Sequence, residues 1–247
     1  MDQTQQIALN IAAVRERIAA AARGAQRVPE DVTLIAVTKT HTPRRIGMAL
    51  AAGVVDCGEN RVQEAEEKIG LLQAERVRWH LIGHLQRNKA KRAAAIFDMI
   101  HSLDNVRLAE ALNRHVEETS LVGQRRLPVL VQVNVSGEAS KEGFDLMGGL
   151  ANDASLSVFL EAVAQIVALP YLDVQGLMTV APYANEPESA RPTFRALRLL
   201  RDELALRFPA MSWRHLSMGM TNDFEVAIEE GATFVRVGRA IFGERSC

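Results

Sequence analysis

The sequence predicts an α/β fold, a single (β/α)8 TIM barrel with an extra N-terminal helix. Three observations carry that expectation. Eight short apolar runs are spaced along the chain, and segments with the 3.6-residue period of a helix separate them. The length of 247 residues, 48% of them hydrophobic, is enough to bury the core of one such barrel. One domain spanning 1–247 is therefore expected.

Residues 3–23 read as the extra helix, because Ile7, Ile11, Val14 and Ile18 recur along one face. The candidate strands follow in order: "VTLIAV" (32–37), "VVDC" (54–57), "VRWHLI" (77–82), "FDMI" (97–100), "LPVLVQVNV" (127–135), "LDVQGLM" (172–178), "SWRHL" (212–216) and "TFVRVG" (233–238). Between them, 60–73, 105–119, 153–168 and 187–206 read as helices. Regular strand–helix alternation favours a parallel sheet closed as a barrel, whose chemistry gathers beyond the carboxyl ends of the strands. The segment 136–155, rich in Gly, Ser and Ala, is long for a connection between strand and helix. It reads as a loop on that same face, with Gly148-Gly149 as a flexible section.

Acids and bases nearly cancel, leaving a formal charge of −1, so electrostatics give no case for nucleic acid or an anionic membrane surface. Cys57 and Cys247 lie far apart without metal-ligand neighbours, which suits a reducing compartment. The amino terminus is polar and amphipathic, and no stretch approaches eighteen uninterrupted apolar residues. A cytoplasmic protein, neither exported nor membrane-spanning, is expected.

The first strand ends unusually. In "LIAVTKTHT" an apolar run stops at Lys39 between two threonines. A buried ammonium is costly unless it is paired, neutralised or covalently used. Other strand ends also carry polar groups. "CGENRVQEA" offers Asn60, which can cap the following helix or point its amide into the barrel mouth. "HLIGHLQRNK" places His84, Gln86 and Lys89 near the same face, while His80, His101 and His215 read as satisfied core histidines. The last two strands run into "LSMGMTN" and "RVGRA", with Ser217, Gly219, a helix start at Thr221-Asn222, Arg236 on the strand and Gly238 after it. Loops after the seventh and eighth strands are where such barrels hold phosphate, through backbone N–H groups and a helix amino terminus. A ligand meeting a lysine on one side, a phosphate cradle on the other and an arginine between them is matched by pyridoxal phosphate (PLP). PLP has an aldehyde for the lysine, a phosphate for the cradle and a ring nitrogen for an Asp or Arg partner.

The motifs "AVTKT", "GENRVQE", "IGHLQRNK", "VNVSGEASKEGF", "GLMTVAP", "LSMGMTNDFEVAI" and "GATFVRVGRAIFG" together resemble the pyridoxal phosphate homeostasis protein family. That family is a fold-type III group similar to the barrel domain of bacterial alanine racemase, and the resemblance runs from about residue 7 to Gly243. It implies that Lys39 forms the internal aldimine, that Asn60 lies beside the cofactor ring and that Arg236 faces the pyridine nitrogen. It also implies that Ser217, with Gly238 and its neighbour Arg239, holds the phosphate. Two positions depart from the family. Arg61 stands where many members carry tyrosine, and Arg239 where they carry threonine or serine, so a backbone N–H and a guanidinium replace a hydroxyl donor there.

An arginine at the pyridine nitrogen keeps that nitrogen unprotonated and makes the cofactor a poorer electron sink. Racemisation also needs an acid/base on the opposite face of the substrate, and the only tyrosines here are Tyr171 and Tyr183. The resemblance therefore implies a non-catalytic, monomeric PLP-binding protein that buffers or delivers the cofactor, with PLP-dependent apoenzymes as recipients. The alternatives are a PLP-dependent amino-acid racemase using Lys39 as one base, and a Schiff-base aldolase for a phosphorylated sugar.

Overall fold

The computed structural model describes residues 2–72, 76–119, 125–138, 141–146 and 149–244. Its strands are β1 (Thr33–Val37), β2 (Asp56–Glu59), β3 (Arg78–Leu81), β4 (Met99–Leu103), β5 (Leu127–Asn134), β6 (Phe144–Asp145), β7 (Leu172–Met178), β8 (His215–Ser217) and β9 (Phe234–Val237). All pairings are parallel. β1 pairs with both β2 and β9, and β4 with β5, so eight strands close into the expected barrel. β6 lies outside the ring and pairs only with the end of β5.

The helices are α1 (Gln3–Gly24), α2 (Pro43–Ala51), α3 (Val62–Leu71), α4 (Ala90–Ile96), α5 (Val106–Thr119), α6 (Asp153–Val167), α7 (Arg191–Arg207), α8 (Phe224–Glu229) and α9 (Arg239–Phe242). α9 is a single turn, too short to cover the strands beside it. α1 supplies the missing cover: it buries Ile7, Ile11, Val14, Ile18 and Ala22 and packs against α2, α8 and α9. The Asn10 amide donates to the Ile241 carbonyl at 2.8 Å, tying this helix to the last one.

Three strands sit where hydropathy did not put them. The expected 54–57 is Asp56–Glu59, the expected 97–100 is Met99–Leu103 and the expected 212–216 is His215–Ser217. The cause is common to all three. These strands carry polar residues inside the barrel wall, namely Asp56, Glu59, His101, Ser102 and Ser217, and an apolar-run criterion stops short of them. The capping expectations change as well. α3 starts at Val62 with Arg61 in the cap position and no side-chain cap bond, so Asn60 does not cap it. α8 starts after Asp223, so Thr221 and Asn222 belong to the preceding turn. The 136–155 segment is stitched to β5: the Gln132 amide donates to the Glu142 carbonyl at 2.9 Å and the Asn134 amide to the Glu138 carbonyl at 3.0 Å. Gly143, at φ +122, lets this return pass close enough that a Cβ would lie 2.9 Å from the Gln132 carbonyl oxygen. Gly149 opens a single 3-10 turn, while Gly148 and Cys247 lie outside the described residues. Cys57 is buried, and burial pushes its thiol up to about 12, which makes it unreactive. Among the described residues no helix is long and apolar enough to cross a membrane.

One buried ionic cluster fixes the end of β1. The Lys68 ammonium, on α3, donates to Glu59 at 2.7 Å, to Glu64 at 2.6 Å and to the Thr38 carbonyl at 2.8 Å. Glu64 also accepts from the Thr40 amide at 2.5 Å. Thr40 sits at φ +66, a left-handed conformation that a β-branched residue resists. The cluster thus grips the peptide groups on both sides of Lys39. Lys68 and Glu59 are 6% and 0% exposed, so neither charge is solvated by water. Burial raises the Glu59 carboxyl above its usual range, against the downward pull of Lys68 and Thr38.

Removing one member of a buried ion pair strands the other charge. Lys68→Met is expected to destabilise the fold by about 3–5 kcal/mol, read as a lowered urea midpoint. Lys68→Met with Glu59→Gln together should recover part of that loss. A second expectation concerns acid. Burial, then Arg214 and His80, pulls His215 down to about 4, and burial, then His80 and Arg236, holds His101 well below its ordinary value. Between about pH 4 and the unfolded histidine value of about 6.5, the unfolded chain binds protons that the folded one refuses. Stability should therefore fall as pH drops through that window, and His215→Gln should flatten the slope of urea midpoint against pH.

Candidate functional site

β1 and β9 are neighbours in the barrel, in a register that sets Ile35 beside Arg236 and Ala36 beside Val237. Their carboxyl ends therefore open side by side, and Lys39, Arg236, Gly238 and Arg239 line a single cavity there, of about 160 Å³. Tyr183 and the 221–223 turn form the facing wall. Lys39 is half-buried, held by the two gripped peptides described above. Arg236 is 4% exposed. Its guanidinium donates to the Ser217 hydroxyl at 2.7 Å and the Thr179 carbonyl at 2.8 Å. Burial pulls it down to about 10 while the Asp223 charge acts upward, so it remains cationic at neutral pH.

Gly238 occupies the cap position of α9, and as at any helix start the first amides of that turn have no partner inside the helix. The Arg239 guanidinium donates to the Asn222 side-chain oxygen at 3.1 Å, which brings the β9 loop against the turn after β8. That turn is shaped by Gly219, at φ +91, where a Cβ would lie 2.6 Å from the Cβ of Ala227. Asp223, the cavity's carboxylate, accepts from the Met220 amide at 2.6 Å, and burial raises its carboxyl above the usual range. Three cationic side chains therefore face one acid in this cavity. That donor set suits a dianionic phosphate together with a group that condenses with an amine.

Two of the sequence-predicted residues stand elsewhere. The Ser217 side chain is fully buried behind Arg236, taken up by the guanidinium and by His101 Nδ1 at 2.9 Å, and it does not line the cavity. Asn60 lines a neighbouring opening on the same face with Arg61, His84, Gln86 and Lys89. A third opening, bounded by Gln132, Asn134, Lys141 and Glu142, completes the mouth. There His84 Nδ1 lies 2.9 Å from both Asp104 and Glu142. The residues that sequence reasoning missed are Asp223, Lys68 and Glu64; Tyr183 was weighed there only as an acid/base and not as part of the cavity wall. Asn222 was legible as part of the loop after the seventh strand; the three missed residues join the site only through tertiary packing.

The family model of the alanine racemase N-terminal domain matches residues 9–246. The chain is 41% identical over 232 residues to the pyridoxal phosphate homeostasis protein of Aquifex aeolicus, covering 94% of this chain and 95% of that one. It is 39% identical over 242 residues to the protein of the same name from Escherichia coli K12, covering 97% of each. Among solved structures, PipY of Synechococcus elongatus with PLP bound superposes with a TM-score of 0.80 at 36% identity, over 96% of this chain and 100% of that one. Alanine racemase of Clostridium difficile shares the fold alone, with a TM-score of 0.73 at 13% identity over 98% of this chain and 58% of that one. A barrel with a lysine after its first strand and a cationic cradle after its last two, at this level of identity and coverage, belongs to the pyridoxal phosphate homeostasis protein family.

Proposed function

We propose that this chain binds PLP covalently at Lys39 and acts in PLP homeostasis, holding the cofactor for exchange with apoenzymes rather than turning over a substrate. The observation that carries the reading is the shared cavity of Lys39, Arg236, Gly238 and Arg239. In this reading the Lys39 amine takes the aldehyde carbon. The amides and guanidinium at Gly238 and Arg239, with the turn at Thr221-Asn222, take the phosphate. Arg236 approaches the ring nitrogen, with Ser217 holding the guanidinium in place from behind. Asn60 contributes from the adjoining wall of the mouth.

When bound, PLP supplies an electron sink whose strength depends on protonation of its ring nitrogen. A buried guanidinium can donate to that nitrogen but does not hand over its proton at neutral pH, which supports a carrier over a catalyst. The racemase reading has one observation in its favour, because Tyr183 lines the same cavity and could serve the opposite face. Its side chain is 75% exposed, however, so water competes at that face and weakens any fixed stabilisation of developing charge.

Borohydride reduction of the PLP-loaded protein, followed by peptide mass spectrometry, should place the added mass on the peptide containing Lys39. Lys39→Ala should abolish the label while leaving the urea midpoint nearly unchanged. A label on Lys89 or Lys141, which line the neighbouring openings, would refute the assignment.

Incubation of the loaded protein with L-alanine, L-serine or L-glutamate in deuterated water separates carrier from racemase. The carrier gives at most slow α-deuterium incorporation and no accumulating D-isomer. Turnover of about 1–1000 per second, lost in Tyr183→Phe, would establish the racemase instead.

A further inference from the structure

Arg236 is the end of a longer chain of buried groups. Its Nη1 donates to Ser217 Oγ at 2.7 Å, Ser217 Oγ lies 2.9 Å from His101 Nδ1, and His101 Nε2 lies 2.9 Å from His80 Nδ1. His80 Nε2 then lies 2.9 Å from Asp56 Oδ1, and Asp56 Oδ2 accepts from Arg78 at 2.7 Å. Asp56, His80, His101, Ser217 and Arg236 are 3%, 3%, 0%, 0% and 4% exposed. The chain passes through β2, β3, β4, β8 and β9, climbing from the first residue of β2 to the mouth. The Phe234 ring stands beside both imidazoles, 5.8 Å from His80 and 5.2 Å from His101 between centroids, and keeps the path dry.

One assignment of single N–H tautomers satisfies every bond between the two ends. A guanidinium only donates, so Ser217 Oγ accepts from Arg236, and with each imidazole carrying one N–H directed toward Asp56 the hydroxyl gives its own proton to His101 Nδ1. His101 is then the Nε2–H tautomer and donates to His80 Nδ1. His80 is in turn the Nε2–H tautomer and donates to Asp56. Asp56 can only accept if ionised; burial pushes its carboxyl up, but the bonds from His80 and Arg78 prevail and hold it below its usual range. No member is left over; the alternative, in which His101 Nδ1–H donates to Ser217, requires His80 to donate from both ring nitrogens and so places an extra proton in the interior.

We infer that Asp56, His80 and His101 are positioning residues for Arg236, fixing the orientation of the guanidinium at the cofactor ring from the opposite end of the barrel. The inference rests on the proposed PLP site for its functional consequence, but the relay itself exists without cofactor. Ser217 alone cannot orient the guanidinium, because a hydroxyl rotates freely unless its proton has a fixed destination. The imidazole pair supplies that destination, and the Asp56 carboxylate makes it one-directional. Coupling between distant sites in a protein is typically about 5- to 150-fold in affinity, and that is the scale expected here.

Long-range ¹H–¹⁵N correlation spectra of the PLP-free protein report histidine tautomers directly, and both His80 and His101 should appear as neutral Nε2–H rings. Asp56→Asn and His101→Phe should each weaken PLP binding by about 5- to 150-fold and shift the visible absorption maximum of the loaded protein. His215→Gln, at a half-buried histidine off the relay, should produce neither change. An Nδ1–H ring at His80 or His101, or relay variants that bind PLP as tightly as His215→Gln, would overturn the inference. A protein that takes up no PLP under any condition would instead overturn the proposed function, while the tautomer spectra would still decide the relay.

Discussion

The ammonium of Lys68 is the interaction from which the mouth of this barrel is built. It is nearly excluded from water and divides its three protons among Glu59, Glu64 and the carbonyl of Thr38. Through those bonds it joins β1, β2 and α3 at one point, and the same Glu64 restrains Thr40 in a backbone conformation worth about 1–3 kcal/mol of strain. A side chain between two such restrained peptides has few directions open to it. The direction of Lys39 is thus determined by a second lysine that never enters the cavity. Burying that second lysine is tolerable because it meets a buried and a half-buried carboxylate and its hydrogen-bonding capacity is filled.

Charge is distributed through the interior in the same economical way. Arg236 donates only to a hydroxyl and a carbonyl, neither of them charged, yet the nearby Asp223 offsets its field. The wall of the barrel can accept polar residues at Asp56, Glu59, His80, His101, Ser102 and Ser217 because each is bonded to a partner on a neighbouring strand, loop or helix. The apolar share of the interior, Ile35, Met99, Leu130, Met178 and Phe234, packs around that polar line. The result is a core in which apolar contact supplies the bulk of cohesion and a few satisfied polar groups decide orientation.

This division explains what was legible in the sequence. β1, β5, β7 and β9 are mostly apolar, with few polar residues among them, and their positions follow from hydropathy within a residue. β2, β4 and β8 were displaced because Asp56, Glu59, His101 and Ser217 look like loop residues until their partners are known. At the site, Lys39, Arg236, Gly238 and Arg239 were readable because barrel strands bring their carboxyl ends to one face, whatever the details of packing. Ser217 was harder: it is the last residue of β8, and one step of strand alternation decides between the rim and the interior. Glu64 and Lys68 stand four residues apart on a helix, a spacing that reads as an ordinary solvent-exposed pair. Only the packing of α3 against the ends of β1 and β2 turns that pair inward.

The register between β1 and β9 has a further consequence for how the site comes into being. Lys39 follows the first strand to be synthesised, whereas Arg236, Gly238 and Arg239 belong to the last strand and the turn after it, so the cavity straddles the seam at which the barrel closes. Pairing the two termini of the ring demands the longest loop in the molecule, which makes it an entropically late event in folding. A nascent chain still lacking β9 has its lysine but no cradle. Occupancy of this cavity therefore reports completion of the barrel, and any ligand held across the seam acts as a latch on the one strand pair that converts an open sheet into a ring.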